Sequence, residues 1–298
     1  MPLEKVTECP LCGSSSFNSF LNCKDYTTSQ ESFGIVRCSN CTFAITNPRP
    51  TKLTVGTYYQ SNQYVSHNAT ATGLFESIYF LARRLTLRWK INLIRKYNQP
   101  GTILDFGCGT GDFLNVCDKK GWNCYGVEPS SIARNKASQN PKIEVREQLQ
   151  DLRIKQFDII TLWHVLEHIH DLNSVLVELK NRLTKNGVLF IAVPNYLCHD
   201  ALVYKEHWAG YDVPRHLWHF SKETMSKLLL KHKLKLVTTL PMKLDSAYVS
   251  LLSEKYRNPE KNSLLRVLSA IYNGISSNVR ALSTNNYSSL IYVCKAGE

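Results

Sequence analysis

"TILDFGCGTGDFL", residues Thr102–Leu114, decides the fold. Its first half is β-branched and apolar and reads as a buried strand over Ile103–Phe106; its second half carries Gly107, Gly109 and Gly111 before Asp112 opens a helix toward Lys120. Asp112 suits that start, because an acid in the first turn meets the positive end of the helix dipole. Beyond Gly121, "NCYGVEPS" reads as a second short strand ending at Glu128, with another helix behind it. The unit is β-α-β. Glycine backbone lets a ligand approach closely, and an acid at the tip of the next strand can accept hydrogen bonds from a ribose diol. Dinucleotide loops are spaced G-x-G-x-x-G; here the spacing is G-x-G-x-G with Asp105 ahead of it. An acid there would repel a pyrophosphate but could face an ammonium group.

Outward from the loop, "EVREQLQDL" (Glu144–Leu152), "QFDIITLWHVLEHIHD" and "GVLFIAVPN" (Gly187–Asn195) continue the alternation of strand and helix. Five strands separated by helices predict a parallel, doubly wound α/β sheet with its ligand across the carboxyl ends of the strands.

With "LDFGCGTG" and this ordered set, the chain resembles the class I S-adenosylmethionine-dependent methyltransferases. The resemblance implies a Rossmann-like seven-stranded sheet. It also implies S-adenosylmethionine as cofactor, with Gly107, Cys108, Gly109 and Gly111 against its methionine part and Asp105 nearby. Glu128 matches the ribose-binding acid, and Gln148 and Trp163 are further cofactor candidates. "LKLVTTLP" (Leu234–Pro241) and "SSLIYVCKA" (Ser288–Ala296) match the sixth and seventh strands, an edge hairpin interrupted by an insertion at about 243–286. That insertion contains "NSLLRVLSAIYNGI", whose Leu264, Leu265, Leu268, Ile271 and Ile275 form a helical stripe. Two readings follow for it: a helical cover over the substrate side or a partner subunit, and a contact with a membrane surface.

The N-terminus carries a second signature. "CPLCG" (Cys9–Gly13) and "CSNC" (Cys38–Cys41) form C-x2-C pairs with 25 residues between them. Cys9, Cys12, Cys38 and Cys41 are the expected ligands of one tetrahedral Zn²⁺; four thiolates fill its shell and leave no position for an activated water, so the zinc is read as structural. Cys23, between the pairs, is a core thiol. "NPRP" (Asn47–Pro50) closes this module. The chain therefore divides into a zinc ribbon at 1–50, a connecting segment with a basic amphipathic helix at 51–99, and a methyltransferase domain at 100–298. Within the connector, Phe75, Ile78, Ala82, Leu85 and Trp89 recur at helical spacing opposite Arg83, Arg84, Arg88 and Lys90.

Methyl transfer requires an oriented acceptor and, for a protonated one, a base. "HVLEHIH" offers His164 and His168, which a helix would place on one face. "HWAGYDVPRHLWHFS" (His207–Ser221) concentrates three histidines, two tryptophans, Tyr211 and Arg215 in fifteen residues and reads as an acceptor pocket or lid. It is similar to the corresponding region of zinc-ribbon-bearing sugar C-methyltransferases, which implies that His216 is the base. Tyr211, Arg215 and His219 are acceptor-side candidates, with the planar fork of Arg215 suited to a phosphate or carboxylate. Whole-chain similarity to bacterial zinc-ribbon methyltransferases of glycan metabolism implies a glycosyl or phosphorylated small-molecule acceptor. A quinone or phenol, an RNA, and a catalytically silent binding role are the alternatives.

The formal net charge is +12, and residues 74–99 (six Lys/Arg, one acid) and 222–298 (twelve, five acids) account for it as 5 + 7. The ribbon balances four basic against four acidic residues, which argues against nucleic acid as its partner. The N-terminus lacks the apolar core of a signal peptide, and the expectation is a cytoplasmic protein, with peripheral contact to the inner membrane surface as a further expectation.

Overall fold

The computed structural model describes residues 2–59 and 85–297. In the N-terminal part, β1 (Leu3–Glu4) pairs with β5 (Arg49–Pro50), and β2 (Phe17–Lys24), β3 (Ser32–Cys38) and β4 (Ala44–Thr46) form an antiparallel sheet. Two tight turns present the cysteine pairs: the Gly13 N–H donates to the Cys9 carbonyl and the Thr42 N–H to the Cys38 carbonyl, each at 2.9 Å. Gly13 takes a φ of 78°, as its place in the first turn predicts; the second turn puts Thr42 at φ 63° instead.

Residues 85–94 are helical (α1). The domain continues as β6 (Thr102–Phe106), α2 (Asp112–Asp118), β7 (Asn123–Val127), α3 (Ser131–Ala137), β8 (Ile143–Arg146), β9 (Phe157–Trp163), α4 (Leu172–Asn181) and β10 (Leu183–Pro194). Then come α5 (His199–Tyr204), β11 (Trp218–His219), α6 (Lys222–Lys231), β12 (Leu234–Pro241), α7 (Asp245–Arg257), α8 (Ser263–Thr284) and β13 (Ser289–Ala296). The seven-stranded sheet has the order β12-β13-β10-β9-β6-β7-β8. Its first five strands in sequence pair in parallel, while β13 runs antiparallel between β10 and β12. The continuous apolar runs of β9 and β10 suit strands covered on both faces, and Ile159, Ile160, Phe190 and Ile191 are fully buried. Strand order reverses between β6 and β9, so the crevice belongs at their carboxyl ends. The loop 107–111 leaves β6 there, and "HVLEH" leaves β9.

The sheet, its edge hairpin and the helical insertion match the expectation from sequence. Two local expectations fail. "HVLEH" is not an α-helix: His164 adopts φ 57°, Leu166–His168 form a single 3-10 turn, and α4 starts only at Leu172. His164 and His168 therefore point to different partners rather than sharing a helix face. In the amphipathic segment, Phe75 to Arg84 lie outside the described residues, whereas Leu85 and Trp89 are exposed and α1 buries Ile91 and Ile94 instead.

The ribbon is not a detached module. β11, from the far side of the sequence, pairs with β4 and completes a four-stranded sheet of order β11-β4-β3-β2. Beside this seam, the fully buried Arg215 uses every N–H of its guanidinium. Nε donates to Asp212 Oδ2 at 2.9 Å; Nη2 donates to Asp212 Oδ1 at 2.6 Å and Asp25 Oδ1 at 3.0 Å; Nη1 donates to the Tyr58 carbonyl at 3.0 Å and Thr28 Oγ1 at 3.3 Å. Burial opposes all three charges. Attraction to Arg215 outweighs it for Asp212, and the Ser29 N–H together with Arg215 outweighs it for Asp25, so both lie below the usual carboxylate range; the two carboxylates raise Arg215. Removing one partner of such a group leaves uncompensated buried charge, at a cost of about 3–5 kcal/mol. Arg215→Met is thus expected to lower the thermal unfolding midpoint sharply; a midpoint within a degree or so of wild type would show that the network contributes little.

Candidate functional site

The loop after β6 divides its three glycines between two tasks. Gly107 and Gly111 have φ of 78° and 76°, and a Cβ on either would collide: at 2.5 Å from Val165 Cγ2 and at 2.9 Å from Ala137 Cβ, respectively. They are glycines because the "HVLEH" segment and α3 pack against them. A Cβ on Gly109 would meet nothing within 4 Å, so this residue faces open space. The Gly109 N–H donates to Glu128 Oε2 at 2.9 Å, and Glu128 Oε1 accepts from the Ser130 N–H at 2.8 Å. A carboxylate offers about four acceptor sites, so this geometry leaves capacity for a diol.

Asp105 lies buried beneath the loop, where its Oδ1 accepts from Thr161 Oγ1 at 2.6 Å. Burial pushes its carboxyl up to about 7, against the opposing effects of Thr161 and Lys90. Cys108 turns inward toward Gly126 and Leu114. Gln148 is exposed beside a short 3-10 turn, and its side-chain oxygen accepts from Gln150. At the end of β9, Trp163 packs edge-on against Phe113 and carries Lys90 Nζ 4.2 Å from its ring centre. Its indole N–H is buried without a partner among the described residues. An open glycine, a spare carboxylate and an orphaned donor on neighbouring strand ends fit a ligand with a ribose and further polar atoms.

The histidines fall into two groups. His164 is tied to the insertion: its Nε2 lies 2.9 Å from Asp245 Oδ2, in the first turn of α7, and its Nδ1 lies 3.4 Å from Glu167 Oε1. Burial disfavours its cation, but these two carboxylates prevail and raise it to about 9. In the second group, the rings of His168 and His216 meet edge to face at 4.6 Å. His216 Nδ1–H donates to the Gly210 carbonyl at 2.9 Å, so Nε2 is the ring nitrogen left for other partners. His168 Nδ1 faces the Arg215 carbonyl at 3.0 Å and Tyr59 Oη at 2.9 Å. Burial, reinforced by His216, lowers His168 to about 4, so it is neutral at ordinary pH. Glu167 is wholly buried and accepts no hydrogen bond within the described residues; a ligating atom from each of Glu167, His168 and His216 lies within 4.8 Å of the others. Asp212 Oδ2 sits 4.0 Å from His216 Nε2.

His219 is held away from this pair. Its Nε2 contacts Thr46 Oγ1 at 2.9 Å, Thr46 Oγ1 donates to the His216 carbonyl at 2.6 Å, and Tyr211 packs edge-on against the His219 ring at 5.4 Å. Burial lowers His219 to about 3. Pro194, Trp208, Gly210, His216 and His219 line a narrow recess at the carboxyl end of β10. Arg215, expected from the sequence to grip an anionic acceptor, does not: Asp25, Asp212, Thr28 and Tyr58 consume its donors.

In the ribbon, Cys9 Sγ and Cys41 Sγ are 3.5 Å apart, as are Cys12 Sγ and Cys38 Sγ, and all four sulfurs fall within 4.8 Å of one another. Tetrahedral Zn²⁺ with bonds of about 2.3 Å would set them about 3.8 Å apart, so the donor set fits that ion.

Comparison with known families matches residues 78–239, more than half of the chain, to a model described as "Methyltransferase domain". The chain belongs to this methyltransferase family. Its domain is of the S-adenosylmethionine-dependent class I type. Curated relatives include the ubiquinone biosynthesis O-methyltransferase of Pelagibacter ubique, 30% identical over 102 residues, or 31% of this chain and 42% of that protein. That of Actinobacillus pleuropneumoniae serotype 7 is 32% identical over 106 residues, or 31% of this chain and 45% of the relative. The chain thus spans less than half the length of these relatives. Among solved structures, magnesium protoporphyrin IX methyltransferase of Synechocystis PCC 6803, with bound S-adenosylhomocysteine, is 14% identical. The match covers 83% of this chain and 100% of that one, with a TM-score of 0.54. Geranyl diphosphate C-methyltransferase of Streptomyces coelicolor is 13% identical, covering 78% of this chain and 87% of that one, with a TM-score of 0.51. At such identities the likeness is one of fold.

The sequence alone did not single out Thr46, Gly210, Asp212 or Asp245, and it offered Glu167 only as part of "HVLEHIH". Asp212 lay inside the quoted histidine-rich run, and only its spacing to Arg215 and His216 hinted at a role. For His164, the folded-state value lies above the unfolded one of about 6.5, so its pairing stabilises fully below that pH and fades as pH rises through about 9. Asp245→Asn should therefore depress the melting temperature strongly near pH 6 and hardly at all near pH 10; an equal loss at both would show that the His164 charge is not involved.

Proposed function

We propose that the chain binds S-adenosylmethionine across Gly109 and Glu128 and methylates a small glycosyl-type acceptor held against His168 and His216. The observation that carries this reading is the anchoring of His216, whose Nδ1–H bond to the Gly210 carbonyl turns Nε2 away from the ring's anchored side and makes it the nitrogen that can exchange a proton. When bound, the cofactor supplies a methyl group on a good leaving group, so the protein's tasks are to orient the acceptor and remove its proton. His216 Nε2 takes that proton, and the carboxylates of Asp212 and Glu167 balance the resulting charge. His168 is neutral, and its ring braces His216. Asp105, Gln148 and Trp163 complete the cofactor side, with the Trp163 N–H available to a polar atom of the ligand. His219, with Tyr211 packed against it, lines the recess, and Arg215 acts through Asp212 rather than on the acceptor.

A phenolic acceptor is the second reading, prompted by the ubiquinone biosynthesis O-methyltransferases among the relatives, which match only 31% of this chain. Calorimetry with S-adenosylmethionine should show binding by the wild type and none by Glu128→Ala. His216→Ala should keep cofactor binding while turnover, assayed on nucleotide sugars and catechols in parallel, falls at least about tenfold. Undiminished turnover in that variant would remove His216 as the base.

We also assign a structural Zn²⁺ to Cys9, Cys12, Cys38 and Cys41. Its affinity becomes folding free energy for a segment too small to hold itself together. Metal analysis should return about one zinc per chain, and a chelator should lower the melting temperature of the wild type but not that of Cys12→Ser. Zinc-free protein with an unaltered melting temperature would refute the assignment.

A further inference from the structure

The insertion presents its bulky side chains outward. α8 buries Ala270, Gly274, Ser277 and Ala281, a row of small residues at spacings of four, three and four. Close approach explains their size: a Cβ on Gly274 would lie 3.0 Å from Ala247 Cα in α7, and Ser277 Oγ donates to the buried Asp200 at 2.7 Å. A second row comprises Leu264, Leu268, Ile271, Ile275, Val279 and Leu282, which repeat at three and four over five turns and are each between 48% and 66% exposed. Of the two readings the sequence left for this stripe, a cover over the substrate side does not hold: it covers neither the sheet nor the site and forms an apolar ridge about 27 Å long on the outside of the molecule. Isolated exposed leucines are ordinary, but a contiguous apolar surface of this length marks something that covers it.

Charge selects the occupant. α8 contains no acid; its charged residues are Arg266 and Arg280, and Lys261 precedes it. Arg266 donates to the Pro259 carbonyl and Lys261 to Ser269 Oγ, so both keep their full charge beside neutral groups. Residues 222–298 as a whole carry twelve Lys/Arg against five acids, a surplus of 12 − 5 = 7. A second copy docked through the same ridge would bring two such surpluses together, whereas an anionic surface is attracted to both. No helix among the described residues is long and apolar enough to cross a membrane, and an acid-free helix with one apolar face has the character of an element lying in the interface plane.

We propose that the outer face of α8 docks on an anionic phospholipid bilayer, with Leu264, Leu268, Ile271, Ile275, Val279 and Leu282 entering the headgroup–acyl boundary. The packing of α8 on α7, whose first turn supplies Asp245 to His164, then holds the reaction crevice near the lipid surface. Flotation of the full, zinc-loaded chain tests this without cofactor or acceptor, and so independently of the proposed reaction. At low salt the protein should rise with vesicles of phosphatidylcholine and phosphatidylglycerol in equal parts and remain behind with phosphatidylcholine alone. The Leu268→Glu/Ile275→Glu variant, changed at exposed positions, should keep its melting temperature and fall to the level seen with neutral vesicles. Absence of wild-type flotation on anionic vesicles overturns the proposal, as does undiminished flotation of the double variant. Light scattering that finds a wild-type dimer and a monomeric double variant assigns the ridge to a second copy and overturns it as well.

Discussion

The guanidinium of Arg215 lies between two carboxylates from opposite ends of the chain, Asp25 in the ribbon and Asp212 in the histidine-rich run. Burying three charges is costly, and only the completeness of the set makes it tolerable: five N–H groups meet five acceptors, with the Tyr58 carbonyl and Thr28 hydroxyl filling the last places. Much of the catalytic side depends on this arrangement. Asp212, held by Arg215, stands beside His216; the Arg215 carbonyl receives His168; and Tyr58, packed under the ribbon, is next to Tyr59, which reaches His168. A single buried residue thereby sets the positions of Asp212 and His168 around His216.

The same economy appears in the glycine loop. Three glycines in one motif invite a single explanation, yet their environments separate them. Gly107 and Gly111 are bare so that protein can approach protein, and Gly109 is bare on the side where nothing approaches. The loop is consequently clamped at both ends and open at its centre, the geometry a preorganised binding surface requires.

The sheet was legible in the sequence because its signals are local. Apolar runs such as "DIITLW" and "VLFIAV", glycines at fixed offsets and an acid after β7 each report on their own few neighbours. The gathering of Cys9, Cys12, Cys38 and Cys41 was legible for the same reason. What escaped was set by partners far away in the chain. Nothing near Arg215 announces Asp25, 190 positions earlier. "HVLEH" has helical spacing, but β9 delivers His164 to the crevice in a left-handed conformation and the helix pattern breaks. The apolar stripe of α8 was placed on a helix but its neighbour was left open between the substrate side, a partner subunit and a membrane surface, because periodicity identifies a face without saying what it meets. Composition marked the run 207–221 and the resemblance pointed to His216 within it, but the ring's anchor is the Gly210 carbonyl, a backbone group that no residue type reveals.

The pairing of β4 with β11 also sets an order of events during synthesis. The first fifty residues leave the ribosome early, and their cysteines can gather a metal at once, but their sheet then lacks its outer strand. Until Trp218 and His219 emerge, β4 presents unpaired backbone groups along an apolar edge, the kind of edge that recruits other chains. The sheet of the small N-terminal module is thus completed only when the chain has been made through His219.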